Sequence, residues 1–224
     1  MNTRRLALLA GLATIVIAVV AINDGRLSGH MVQHLLLIDV APPLLLIGRP
    51  LHLLLRALPP RSRRSFGRGL VAVGRRAYPA ACLAVFTLIV LGCHVPVVFD
   101  ATARSAPLHA LQHGAFILAG LVVWWPLLGA PKPRGQLGPV TQLLYLTVAM
   151  LPMTALGAYL DRDTTLFYTV YAGPGAVFDQ QQAGAIMWVA STATMGLAGA
   201  AAVLASMIAA ERRQRVRDLR GVTP

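Results

Sequence analysis

Five histidines are the residues of this chain whose types and spacing are best suited to chemistry. His30 and His34 are four residues apart, as are His109 and His113, and His94 is the fifth. On an α-helix this spacing puts both side chains of a pair on one face, one turn apart. Two imidazoles placed in this way can bind one metal ion, as they do in zinc-binding helices. The chain therefore holds a candidate metal site, provided that the segments carrying the five residues meet.

Three sulfur-bearing side chains lie in apolar segments near the histidines or at matching depth, namely Cys93, Met153 and Met187. Neutral imidazole binds copper, zinc, iron and nickel, whereas thiolate and thioether groups favour Cu(I). A mixed set of His, Met and Cys ligands indicates copper, as Cu(I), rather than a hard cation. The alternative is structural: an interfacial histidine often only keeps its polar tip wet, and methionine commonly fills gaps between helices.

A carboxylate, Asp39, lies inside an apolar segment nine residues after His30. That separation is roughly 13 Å along a helix. A carboxylate at such depth is costly unless it faces protein and has a partner. Asp39 is interpreted either as a group beneath the metal that accepts a hydrogen bond or moves a proton, or as a hydrogen bond between helices.

The composition predicts the element type that must position these residues. The chain has 224 residues, of which 56% are hydrophobic and 12% charged, with a mean hydropathy of +0.65; soluble chains carry about 25% charged residues. The apolar runs are continuous, which favours membrane helices over the alternating strands of a barrel. We predict an all-α polytopic membrane protein, a single domain over residues 1–224. Its six spans lie near residues 5–22, 31–55, 79–95, 107–129, 138–160 and 183–209.

The basic residues predict the orientation of this bundle. If the spans alternate across a membrane, 17 of the 20 basic residues fall on one side, and an excess of Lys and Arg marks the cytoplasmic side. Both termini, a basic linker (56–78) and a basic tail (210–224) are therefore expected in the cytoplasm. The five histidines then lie at the outer face, whereas His52 lies at the inner one. The basic stretches are expected to meet anionic lipid headgroups and not nucleic acid, because they lie between apolar spans.

The first span has a second interpretation. Arg4 and Arg5 precede an apolar run, as they do in a cleaved signal peptide. We predict a retained helix, because the run is long for a signal peptide and no clean cleavage motif precedes Asn23.

Several ordered motifs resemble the CtaG family of caa3-type cytochrome c oxidase assembly factors. The resemblance spans roughly residues 28–210. The similar blocks are His30-Met-Val-Gln-His34-Leu-Leu-Leu, Ala41-Pro-Pro-Leu-Leu, Gly48-Arg-Pro-Leu, His109-Ala-Leu-Gln-His113, Gly120-Leu-Val-Val-Trp-Trp-Pro126, Leu151-Pro-Met153 and Asp179-Gln-Gln-Gln-Ala-Gly-Ala-Ile-Met-Trp188.

The resemblance implies a bacterial inner-membrane protein that helps to mature haem–copper oxidases by handling copper. Its implied partners are oxidase subunits and a periplasmic copper donor. No substrate is chemically converted in such a role, so enzyme activity is not expected. Asp179 joins Asp39 as a residue expected to support the ligands or a proton. The implied family positions are His30, His34, His109, His113, Asp179 and Met187, whereas His94 and Cys93 fit the outer-face site and match the family's pattern less closely.

Three functions are consistent with these residues. The leading hypothesis is an assembly factor that holds Cu(I) at the outer face and passes it to an oxidase by ligand exchange. The second is a metal-free scaffold that binds oxidase subunits through its helices and basic loops. The third is a haem b protein in which His34 and His113 are the axial ligands.

Overall fold

A computed structural model describes residues 2–49, 59–76, 78–129 and 137–219 of the chain. Within these ranges every regular element is helical. The helices are α1 (Thr3–Ala21), α2 (Leu27–Gly48), α3 (Pro60–Arg76), α4 (Pro79–Cys93), α5 (Pro96–Ala103), α6 (Ala106–Leu128), α7 (Pro139–Arg162) and α8 (Ala176–Leu219), with a 3-10 turn at Thr169–Tyr171.

Five of these helices, α1, α2, α6, α7 and α8, are long and apolar enough to cross a membrane. A sixth span forms if α4 and α5 count as one, since they are bent by 69° relative to each other. The predicted all-α bundle of about six transmembrane helices is therefore confirmed. His52 and the remainder of the predicted second span after Arg49 lie outside the described residues.

Two helices begin earlier than hydropathy predicts. Helix α2 begins at Leu27 because the Asp179 carboxylate, from α8, accepts a hydrogen bond from the Leu27 N–H at 2.7 Å. This contact satisfies an N–H group that the first turn of a helix leaves free. Helix α8 follows Gly175, whose φ of 76° suits glycine and ends the preceding turn. Asp179 and three glutamines lie in its first two turns, so hydropathy predicts its start too late.

Two segments that the sequence predicts to be connections between helices are themselves helical. Residues 56–78 were predicted as a polar linker, and α3 occupies most of that range. Arginine has a high helix propensity, and Pro60 suits the first turn of a helix. The third predicted span, 79–95, ends at Cys93 and is followed at once by α5, with His94 at the bend.

Helix α2 lies at the centre of the bundle: 67% of its apolar window is buried, against 11% for α1. It contains a π-helical turn at Leu36–Val40, followed by Pro42 and Pro43. These prolines have no N–H to donate, which interrupts the helical hydrogen bonds. A Cβ on Gly120 of α6 would overlap Pro42 and the Ile38 carbonyl oxygen. Helix α6 therefore packs directly against the interruption in α2.

The other packing of α2 differs between its two ends. Residues 27–35 pack mainly against α8, and residues 41–48 pack against α1 and α6. At the second contact, a Cβ on Gly48 would lie 2.8 Å from the backbone of Leu8. Helices α7 and α8 pack closely through Gly157 and Gly184, as small residues allow in membrane helices.

Candidate metal centre

The helices bring all five predicted histidines to one end of the bundle, which we call the histidine end. Helix α2 carries His30 and His34, α6 carries His109 and His113, and His94 lies at the bend between α4 and α5. The ring centroids of His30 and His34 are 4.2 Å apart, as are those of His109 and His113. The two pairs meet where the His30 and His109 rings stack at 4.8 Å. The ring of His34 lies 5.7 Å from that of His94 and 5.9 Å from that of His113. We call these five residues the histidine cluster.

Three members of the cluster form a closer group. His30, His34 and His109 each offer one ring nitrogen, and these atoms lie within 4.8 Å of one another. Within the described ranges this is the only such group of three or more His, Cys, Asp or Glu side chains. Metal–nitrogen bonds of about 2 Å keep the ligand atoms of one ion within about 4 Å of one another. Small side-chain rotations are therefore sufficient to bring the three nitrogens onto one ion.

The ring nitrogens of the cluster are buried with few partners. Among the residues that the structure describes, the Nε2 atoms of His30, His94, His109 and His113 have no hydrogen-bond partner, and neither does either ring nitrogen of His34. Buried polar atoms are normally paired, so each exception needs a reason. A bound metal ion would be a partner for one ring nitrogen of each histidine that binds it.

The opposite ring nitrogen of three histidines faces another group. The His94 Nδ1–H donates to the Val90 carbonyl oxygen at 2.7 Å. The His30 Nδ1 lies 2.9 Å from the Tyr171 hydroxyl oxygen, and the His109 Nδ1 lies 3.6 Å from an Asp24 carboxylate oxygen. These contacts leave Nε2 as the nitrogen directed to a ligand, which is how metal-binding histidines are commonly oriented.

Two phenylalanines form an apolar wall beside the cluster. The Phe116 ring lies 4.2 Å from that of His34, and the Phe99 ring lies 5.0 Å from that of His30, by centroids. Both phenylalanine side chains are fully buried. The wall excludes water from one side of the cluster, which strengthens electrostatic interactions within it.

The connection between α7 and α8 covers the cluster, although the sequence analysis singled out none of its tyrosines. The Tyr168 hydroxyl donates to the His94 carbonyl oxygen at 3.0 Å, and its ring lies 4.0 Å from that of Phe99. The Tyr171 hydroxyl donates to the Asp24 carbonyl oxygen at 3.2 Å. Burial raises the pKa of both tyrosine hydroxyls above the ordinary value, so both stay protonated and can donate at neutral pH. Their place in a loop beside the histidine-bearing helix ends was the available signal.

The two predicted carboxylates have different surroundings. Besides the Leu27 N–H, Asp179 accepts a hydrogen bond from the Ser28 hydroxyl at 2.5 Å, so it holds the first turn of α2 just before His30. Asp39 lies in the π-helical turn, near the Ser191 hydroxyl. Neither Asp39 carboxyl oxygen is within hydrogen-bond distance of a partner in the described part of the chain.

The predicted sulfur ligands have different surroundings. The Cys93 thiol is half-buried and does not belong to the group of three, whereas the Cys93 carbonyl oxygen accepts a hydrogen bond from Gln112 at 3.3 Å. Met153 and Met187 are buried in the helical core. The Met153 sulfur accepts a hydrogen bond from the Ser191 hydroxyl at 3.5 Å. The closely spaced ligand atoms are therefore imidazole nitrogens, with no thiol or carboxylate among them.

Comparison with known proteins agrees with the sequence motifs. Residues 2–209 match the family model described as cytochrome c oxidase caa3 assembly factor (Caa3_CtaG). A search of curated proteins and a search of solved structures gave no significant match. The family match includes all five histidines of the cluster and every helix from α1 to α7, together with most of α8. The chain thus belongs to the Caa3_CtaG family of cytochrome c oxidase caa3 assembly factors.

Proposed function

We propose that this protein binds copper, as Cu(I), at the histidine cluster and delivers it for maturation of the copper centres of a haem–copper oxidase. The observation that carries the proposal is the set of buried, unpartnered ring nitrogens on α2, α6 and the α4–α5 bend. Membership of an oxidase assembly family supplies the biological context. Copper is the cargo in this proposal, and the protein converts no substrate.

The ligand set supports Cu(I) over other ions. Imidazole suits several transition metals, but hard cations such as Mg²⁺ and Ca²⁺ prefer oxygen. Three neutral imidazoles add no charge, so their complex keeps the full charge of the ion. The desolvation cost of an ion rises with the square of its charge, and a partly apolar pocket beside Phe99 and Phe116 therefore favours a monovalent ion. Zn²⁺ is the natural competitor in a test.

The less buried side of the cluster supports exchange with another protein. The His109 side chain is 18% exposed, and the neighbouring Asp24 side chain is 48% exposed. A donor or recipient can replace one imidazole at a time there, so the ion moves by ligand exchange without a change of oxidation state. The arginine distribution supports cytoplasmic termini, with the histidine end towards the periplasm of a bacterial inner membrane. A periplasmic copper donor and oxidase subunits would then meet the protein at that end.

Anaerobic Cu(I) titration of the purified full chain against a chromophoric competitor tests the proposal. The wild type is expected to bind Cu(I) stoichiometrically and to prefer it to Zn²⁺. The double variant His30→Ala/His34→Ala is expected to lose most of this binding, because it removes two of the three closely spaced ligands. His52→Ala is the matched control, since His52 is predicted at the opposite end. Unchanged Cu(I) binding in the double variant would overturn the site.

The same preparation tests the two other functions. A Soret absorption band in the purified protein would favour the haem b hypothesis over copper. A metal-free scaffold predicts that histidine variants still support oxidase assembly in cells. Copper handling predicts instead that these variants lose oxidase activity and that added copper partly restores it.

A further inference from the structure

The His30 ring lies between the cluster and Tyr171, which comes from the connection between α7 and α8. The His30 Nδ1 is 2.9 Å from the Tyr171 hydroxyl oxygen, which in turn is 3.2 Å from the Asp24 carbonyl oxygen. A carbonyl oxygen can only accept, and the hydroxyl has one proton. Both contacts are therefore hydrogen bonds together only when the hydroxyl donates to Asp24 and the His30 Nδ1–H donates to the hydroxyl oxygen. The Nε2 of His30 is left as an unprotonated, buried acceptor without a partner among the described residues.

His94 and His34 differ from His30 in how their rings are held. His94 donates its Nδ1–H to the Val90 carbonyl oxygen, four residues earlier in the chain. His34 has no hydrogen-bond partner for either ring nitrogen within the ranges described. The contact to His30 instead comes from a residue 141 positions away. The orientation of His30 therefore depends on the covering loop and not on its own helix.

We propose that Tyr171 is a positioning residue for the metal centre, whose hydroxyl holds His30 in the Nδ1–H tautomer and directs Nε2 to the metal ion. The proposal rests on the proposed function for its metal. Ligating histidines usually donate their other ring N–H to a fixed acceptor, which sets both tautomer and ring orientation. Tyr171 supplies this acceptor while remaining a donor to Asp24.

Gln112 is the competing partner for His30. Gln112 lies on α6 between His109 and His113, and its buried side-chain oxygen has no partner within hydrogen-bond distance in the described structure. If this oxygen accepted Nε2–H, His30 would adopt the other tautomer and lose its ligating lone pair. The two tautomers are thus distinguished by a measurement on the protein without metal.

Imidazole ¹⁵N NMR of the metal-free full chain in detergent makes that measurement. The wild-type His30 signal, identified by its loss in His30→Ala, is expected to show Nδ1–H. Tyr171→Phe is expected to convert it to a mixture of tautomers. Tyr159→Phe is the matched control, because Tyr159 is 52% exposed at the end of α7 and its hydroxyl lies outside the cluster. An Nε2–H tautomer in the wild type, or an unchanged tautomer in Tyr171→Phe, would overturn the proposal.

Cu(I) affinity gives the second readout. Tyr171→Phe is expected to weaken Cu(I) binding about tenfold or more, as loss of such partners does elsewhere, whereas Tyr159→Phe is expected to leave it within about twofold. In a His30→Ala background Tyr171→Phe should have no further effect, since it acts through His30. Equal affinity of wild type and Tyr171→Phe would overturn the positioning role alone. A wild type that binds no Cu(I) would overturn the proposed function, and the tautomer measurement would still decide the role of Tyr171.

Discussion

The two histidine pairs have the same spacing but different surroundings. On α2, His30 and His34 are 1% and 2% exposed. On α6, the His109 side chain is 18% exposed and lies beside the half-exposed Asp24. The apolar window of α2 is 67% buried, whereas that of α6 is 44% buried. His30 and His34 on the central helix thus form the interior of the centre, and His109 on the more peripheral helix lies at its opening.

A glutamine precedes the second histidine in both pairs and makes the same kind of contact. Gln33 donates to the Ile22 carbonyl oxygen at 3.0 Å, and Gln112 donates to the Cys93 carbonyl oxygen at 3.3 Å. Each bond ties its helix to the end of an earlier helix, α1 for Gln33 and α4 for Gln112. The repeated motif therefore fixes helix ends, and what distinguishes the two pairs is the position of each helix in the bundle.

The largest expected effect on Cu(I) affinity comes from removing a histidine pair, and its size differs between the two pairs. His30→Ala/His34→Ala is expected to weaken Cu(I) binding by at least about a thousandfold, and His109→Ala/His113→Ala by on the order of a hundredfold. The difference follows because α2 provides two of the three close ligands and α6 provides one. Competition titrations measure both values. Equal losses would show that the two pairs are equivalent.

A smaller effect, on stability and not on Cu(I) affinity, is expected at the contact between α2 and α6. Gly120→Ala places a Cβ against Pro42 and the Ile38 carbonyl oxygen, and is expected to cost about 1–3 kcal/mol of stability. Gly114→Ala on the same helix meets nothing within 4 Å and should be neutral or slightly stabilising. Thermal unfolding in detergent compares the two variants. If Gly120→Ala proved as stable as Gly114→Ala, the close packing of α6 on α2 would be wrong.

The smallest expected effect on Cu(I) affinity concerns Asp24, which lies beside His109 at the opening of the centre. Asp24→Asn removes a half-exposed charge near His109 but keeps the backbone carbonyl that accepts from Tyr171. Cu(I) affinity is expected to fall about two- to fourfold, and the loss should shrink at high salt. Asp163→Asn, in the covering loop, should change affinity less. A loss as large as that of a histidine pair would mean that Asp24 is itself a ligand.

Sequence was sufficient to predict what depends on local pattern. Continuous apolar runs predicted the membrane helices, and the spacing of the histidines predicted that each pair shares a helix face. The helices α3 and α5 were missed because neither belongs to a long apolar run. The start of α2 was missed because its capping carboxylate, Asp179, lies 152 residues away in the chain.

The site was predictable in part for the same reason. Imidazoles at regular spacing stand out in a membrane sequence, so all five members of the cluster were found. Tyr171 and Asp24 were not, since their contacts with His30 and His109 exist only after distant segments fold together. Depth in the membrane does not determine on which side of a helix a sulfur lies, so metal binding by Cys93 or Met153 stays a prediction.

The interruption in α2 allows its two halves to change independently. Residues 27–35 must fit α8 and keep the histidines in place, whereas residues 41–48 must fit α1 and α6. Between them, the π-helical turn and the two prolines break the continuity of the backbone hydrogen bonds. A substitution that repacks Gly48 against Leu8 is therefore not expected to rotate His30 or His34. The half next to α1 can therefore change its packing without a continuous series of backbone hydrogen bonds to pass that change on to the half that bears the histidines.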